Sequence, residues 1–151
     1  MPAPYTSVRA NMHPYTFIIS LRAKHPKDDL AFMSELLEKQ PSVSWVAGEE
    51  RKTTKGTPIG GTRPNSYWVT RLTEEETDSE TWQLEDYLEK IYKELTPKFE
   101  SFASFCESGG RLELYISLYG ARNFGLVFSP NLLSRFGAAS IELQLDIYPE
   151  Q

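Results

Sequence analysis

Arg111 to Tyr119 reads RLELYISLY, with Leu112, Leu114, Ile116 and Leu118 alternating with Glu113, Tyr115, Ser117 and Tyr119. Residues two apart share one face of a β-strand. One face is therefore core and the other is polar and aromatic. A strand patterned in this way has a single buried side, which indicates a mostly antiparallel sheet with helices packed on one face, an α+β arrangement. The closing stretch SIELQLDIY repeats the pattern: Ile141, Leu143, Leu145 and Ile147 are expected inward, and Glu142, Gln144, Asp146 and Tyr148 outward. Near the start, YTFIISLR from Tyr15 to Arg22 sets Phe17, Ile19 and Leu21 on one face of a first strand.

Between these strands the periodicity changes. Pro26 with Lys27, Asp28 and Asp29 opens a helix carrying Leu30, Met33, Leu36 and Leu37, which Pro41 closes. Residues 44 to 72 read as a hairpin with an elongated loop, its arms bearing Trp45 and Trp68. Thr77 and Glu80 have capping-box spacing ahead of Leu84, Tyr87, Leu88, Ile91, Tyr92 and Leu95, which recur at helical intervals. Pro97 breaks that helix, and Phe99, Phe102, Phe105 and Cys106 continue its stripe until Gly109 and Gly110. Gly125 to Phe128 reads as a short strand, and Ser129 and Pro130 cap a brief helix ending at Gly137. The expected order is β-α-β-β-α-β-β-α-β, whose first six elements match the split β-α-β order of ferredoxin-like folds. Residues 1–14 read as an N-terminal tail and residues 15–151 as a single domain.

Composition bounds the function. The chain has 151 residues, of which 40% are hydrophobic and 13% aromatic, enough for one sizeable core. Twenty-one acidic against 16 basic side chains give a net charge of −5. That balance opposes broad binding to nucleic acid or anionic membrane and favours a basic partner. With Cys106 as the sole cysteine no internal disulfide is possible, and with no signal-like or membrane-spanning apolar run the expected location is the cytoplasm.

No catalytic motif, phosphate loop or dinucleotide fingerprint occurs. His13 and His25 have no second ligand at metal-binding spacing, so neither a metal site nor a cofactor is expected. Cys106, on the stripe of the second helix, reads as a buried thiol and not as a nucleophile. The loop Lys55 to Arg63, with Arg51 and Lys52, reads either as a flexible hairpin tip or as an anion site. Glu74, Glu75, Glu76, Asp78 and Glu80 read as a solvated helix start or a cation site. On the outward strand face Tyr67, Arg71, Glu113, Tyr115, Tyr119, Glu142, Asp146 and Tyr148 gather if their strands are neighbours. Tyrosine and arginine are favoured at protein interfaces, although tyrosine also favours strands for its own packing. Trp45 and Trp68 read as core anchors beneath the hairpin, or as walls of a pocket using Glu49, Arg51 or Arg63.

Pro41-Ser-Val-Ser-Trp-Val-Ala-Gly-Glu49, a later strand bearing Trp68, Gly125-Leu-Val-Phe-Ser-Pro-Asn-Leu-Leu133 and Leu143-Gln-Leu-Asp-Ile-Tyr148 together resemble a bacterial family, domain of unknown function 4279. The resemblance covers roughly residues 15 to 148 and departs from the family in a longer loop from Glu49 to Asn65. It implies the fold and no activity. Three functions follow as expectations. The first is a non-enzymatic interaction protein, such as an immunity-type protein masking a basic protein, and the second is a small-molecule-binding domain or enzyme with a pocket at the Trp45 and Trp68 hairpin. The third is a self-associating structural domain, through the sheet face or an edge strand.

Overall fold

The computed structural model describes residues 13–149. The expected tail at 1–14 therefore lies almost wholly outside the described residues, and Tyr15, where the domain is expected to start, is buried. Strand β1 is Thr16–His25, followed by helix α1, Phe32–Leu37. Strands β2 (Val43–Trp45), β3 (Glu50–Lys52), β4 (Pro58–Thr62), β5 (Ser66–Arg71) and β6 (Thr77–Asp78) come next. Helix α2 is Leu84–Leu95; a 3₁₀ turn, Thr96–Lys98, joins it to α3, Phe99–Glu107. Strand β7 is Arg111–Gly120, α4 is Pro130–Ala138 and β8 is Ile141–Pro149.

The main sheet runs β2-β5-β1-β7-β8, with β6 also on β1, while β3 and β4 form a separate ribbon. β5 lies between β1 and β2, so the first unit is a split β-α-β. All neighbours are antiparallel except β7 and β8, which are parallel. The sheet is thus mixed, because the connection through α4 returns the chain in its original direction. Where β5 stops and β6 has not begun, Ile19 of β1 is served by the linking residues. Its carbonyl accepts from Leu72 N at 2.8 Å and its N–H donates to Thr73 Oγ1 at 3.2 Å.

The core lies between this sheet and the helices. Phe17, Ile19 and Leu21 of β1 and Leu112, Leu114, Ile116 and Leu118 of β7 are buried against Leu84, Leu88 and Ile91 of α2, Phe102 of α3 and Leu132 and Phe136 of α4. The expected broken helix is present, since Pro97 has no N–H to continue the α-helical ladder and the chain tightens into a 3₁₀ turn there. The Ser129 hydroxyl accepts from Leu132 N at 3.1 Å, capping α4. No helix of the described residues is long and apolar enough to cross a membrane.

Three expectations are corrected, while the expected hairpin is present as the antiparallel pair β2–β5. Residues 125–128 are not a strand, because both edges of β7 are already occupied by β1 and β8; Leu126 and Phe128 pack on the core as irregular chain. Thr77 lies in β6 and caps nothing. α2 starts seven residues later, and the Tyr15 hydroxyl accepts from Leu84 N at 3.0 Å. The ribbon β3–β4 fills the loop of the expected hairpin. Leu145 and Ile147, expected inward, share the helix-bearing face with Ile116 and Leu118 but are 37% and 60% exposed, because the helical layer does not reach over the far half of this edge strand.

Candidate functional site

The sheet face opposite the helices collects the outward residues of every strand. Register places Arg22 beside Glu113, Ser20 beside Tyr115 and Thr16 beside Tyr119. It also places Ser117 beside Asp146 and Tyr119 beside Tyr148. Across β1 and β5 it brings Lys24 to Tyr67 and Ser20 to Arg71, and across β5 and β2 it brings Tyr67 to Trp45. Side chains paired in this way project to the same side.

Two connected clusters result. In the first, the rings of Tyr119 and Tyr148 stack at 5.1 Å with 15° between their planes. The Tyr115 hydroxyl hydrogen-bonds the Asp146 carboxylate, and the Tyr148 hydroxyl donates to the same carboxylate oxygen at 2.8 Å. The Arg22 guanidinium sits 3.6 Å from the centre of the Tyr115 ring and bonds Glu113 at 3.2 Å. At the rim one Arg111 nitrogen reaches both carboxylate oxygens of Glu142, at 2.9 and 3.0 Å. In the second cluster Trp45 stacks on Tyr67 at 4.7 Å, and the Arg63 guanidinium lies 3.8 Å over the Trp45 ring. Arg63 is anchored by a bond from Nη2 to the Lys52 carbonyl at 2.7 Å.

The electrostatics follow from these contacts. Hydroxyls of Tyr115 and then Tyr148, both donating to Asp146, hold its carboxyl below the usual carboxylate range. Tyr148 is pushed far above the ordinary tyrosine value, first by its bond with Tyr115 and next by Asp146. Tyr67 is also raised, chiefly by burial, with Arg22 opposing. The face therefore combines hydrogen-bonded and stacked phenols, cations laid on rings and, in Asp146, a carboxylate whose ionised form is favoured.

Tyr67, Arg71, Tyr115, Tyr119, Asp146 and Tyr148 all stand on this face, with Arg71 at an exposed position apart from both clusters. Trp45 joins them, against the expectation of a core anchor. Trp68, its neighbour across β5, is buried on the helix side, where its indole N–H donates to Ser34 Oγ at 3.0 Å. The two tryptophans therefore cannot wall one pocket. A cleft of about 340 Å³ does open beside Trp45, lined by Glu49, Glu50, Lys52, Thr53 and Arg63 but neither by Trp68 nor by Arg51. Arg22 was missed in the sequence because YTFIISLR places it at the end of the apolar stretch, where an outward arginine looks like a strand terminus.

The remaining candidates resolve individually. Cys106 is half-buried, and burial raises its thiol pKa, which opposes nucleophilic use. His25 is buried, with Nδ1 accepting from the backbone of Lys27 and Asp28 at 3.1 and 2.9 Å and Nε2 3.0 Å from the Ser108 carbonyl. It locks the turn before α1. The Lys55 to Arg63 loop forms the turn and the β4 arm of the β3–β4 ribbon, with Gly56, Gly60 and Gly61 at positive φ. The acids from Glu74 to Asp78 do not enter a helix; with Glu94, Trp82 and Lys90 they line an open groove of about 820 Å³ on the helical side. Among the described residues no group of three or more metal-ligating side chains converges.

No curated protein and no solved structure matches the chain. Every residue of the face described above falls inside a single family match. Residues 13–150 fit the domain of unknown function DUF4279, and the chain belongs to that family.

Proposed function

We propose that this chain is a non-enzymatic interaction protein of the cytoplasm that docks a protein partner on the open sheet face, in the manner of an immunity-type protein masking its target. The observation that carries this reading is the pair of clusters on that face, Trp45–Tyr67–Arg63 and Arg22–Tyr115–Asp146–Tyr148–Tyr119. Rigid rings bury much area at little entropic cost, and their neighbours already fix them in place. The partner's character follows from charge at two distances. The acidic excess of the whole chain draws a protein of net positive charge. At contact, Glu113 and Glu142 are paired with Arg22 and Arg111, whereas Lys24, Arg63 and Arg71 make no ion pair among the described residues. The docking patch therefore presents carboxylates to these three cations and apolar surface to the rings. The test is capture from lysate of the native host. The wild type is expected to retain a stoichiometric protein, Tyr115→Ala with Tyr119→Ala to lose it, and Trp82→Ala, on the helical side, to keep it. Equal retention by both variants would refute the reading.

A second reading, a small-molecule pocket, is favoured by one observation. In the cleft beside Trp45, the Trp45 Nε1 and Arg63 Nε atoms are buried without a hydrogen-bond partner among the described residues. A metabolite screen by thermal shift tests it, since a ligand selective for the native state raises the melting temperature.

A further inference from the structure

We propose that β8 pairs with β8 of a second copy, antiparallel about a two-fold axis at Leu145, so that two sheets join edge to edge. The proposal concerns the sheet edge and does not rest on the open-face reading. The two edges of the sheet differ. β2 is three residues long, whereas β8 has nine residues, no lysine and its only proline at the final position. Short length, lysine and internal proline are the usual means of blunting an edge, and β8 uses none of them. Among the described residues, no backbone group of β8 is taken up by a loop or turn. Its far half carries the exposed Leu145 and Ile147 on the helix-bearing face, continuous with the buried Ile116 and Leu118 of β7.

The sequence of β8 is complementary to itself in the register that overlaps all nine of its residues. With Leu145 opposite Leu145, Leu143 meets Ile147 of the second copy on the apolar face. On the polar face Gln144 meets Asp146, and Glu142 meets Tyr148. Every apolar residue opposes an apolar one and no like charges face each other. A shift that centres Asp146 sets two carboxylates opposite each other, and one that centres Gln144 sets Glu142 opposite Asp146; like charges directly opposite destabilise a sheet. A one-residue slip turns the apolar face of one copy against the polar face of the other. Two-fold pairing of a single patch is also the commonest form of closed assembly. In the resulting dimer both open faces lie on the same side, with the Tyr119 and Tyr148 stacks flanking the seam.

Light scattering over a concentration series tests the assembly, and residue 145 tests the register. The wild type is expected to be a dimer. Leu145→Lys, which sets two ammonium groups against each other on the axis, is expected to raise the dissociation constant by about tenfold or more. Leu145 is exposed, so the variant should keep its fold and give a native-like circular dichroism spectrum. In a Cys106→Ser background, Leu145→Cys is expected to be captured as a covalent dimer by a short bis-maleimide, which adds one thiol at each end, whereas Gly56→Cys on the distant ribbon is not. A wild type that stays monomeric at all concentrations, or a dimer that Leu145→Lys leaves intact, overturns the proposal. The Tyr115→Ala and Tyr119→Ala chain is expected to remain dimeric, so failure here and failure of the open-face reading give different results.

Discussion

Trp45 and Trp68 stand on neighbouring strands, one step apart in register, and project from opposite faces of the same sheet. Trp68 is buried to 1% exposure in the core, whereas Trp45 is half-buried between Tyr67 and Arg63. Trp68→Ala is therefore expected to cost about 3–5 kcal/mol, the range for emptying a large core site. Trp45→Ala is expected to cost about 1–2 kcal/mol, the sum of one aromatic stack and one cation–π contact. Urea denaturation of the two variants checks the ordering, and equal losses would contradict it.

His25 holds the turn between β1 and α1 through two hydrogen bonds to Nδ1 and ties it to the end of α3 through two contacts of Nε2 with the Ser108 carbonyl and hydroxyl. With two backbone N–H groups aimed at Nδ1, that nitrogen is the acceptor and Nε2 carries the proton toward the Ser108 carbonyl. His25→Ala removes these bonds and a buried ring, and a loss of about 2–4 kcal/mol is expected. His25→Asn, whose amide oxygen takes the place of Nδ1, should recover part of it. If both variants melt like the wild type, the histidine is not structural.

These residues show what the sequence made legible and what it hid. Alternation in RLELYISLY and SIELQLDIY placed Tyr115, Tyr119, Asp146 and Tyr148 on a common face correctly, because side-chain direction in a strand depends only on parity. Parity also held the answer for the tryptophans. Trp45 and Tyr67 lie together because Ser44 and Trp68 pair, but that pairing register is set across a loop whose length conceals it. Direction was harder still. The parallel pairing of β8 follows from the path of a crossover, and the exposure of Leu145 and Ile147 from how far the helical layer reaches; neither is written in a local pattern. The false strand at Gly125 to Phe128 had suitable residues, but both edges of β7, the strand it follows, are taken by β1 and β8.

Asp146 makes the open face sensitive to acid. Tyr115 and Tyr148 hydroxyls hold its carboxyl below the ordinary value. A folded pKa lower than the unfolded one gives stability that is present above the unfolded pKa and lost as pH falls through the folded pKa. The sign reverses for Tyr148, whose raised pKa gives stability below the ordinary tyrosine range that is lost as pH rises through the folded value. Asp146→Asn should thus be less stable than the wild type at neutral pH, with the gap closing in acid. Tyr148→Phe should lose its own deficit in alkali. Denaturant midpoints measured across pH check both, and a gap independent of pH would show that the hydroxyl bonds do not favour the ionised carboxylate.

Arg22 joins the two halves of the face, and the cost of removing it depends on what it leaves behind. Glu113 is almost wholly buried, with a side chain 10% exposed, and Arg22 meets it through a single 3.2 Å contact. The same guanidinium covers the Tyr115 ring and opposes the upward shift of Tyr67. Arg22→Met leaves the carboxylate buried without its cation, which is expected to cost about 2–4 kcal/mol. Glu113→Gln, which keeps an acceptor and removes the charge, should cost about 1 kcal/mol. Because the two side chains touch, the double variant should fall short of the sum of the singles by about 1–2 kcal/mol. A spectroscopic signature separates this electrostatic role from simple packing. Without Arg22 the desolvation of Tyr67 is unopposed by its principal cation, so one tyrosine should ionise at higher pH in an ultraviolet titration. An Arg22→Met chain with an unchanged tyrosine titration would mean that the guanidinium only fills space.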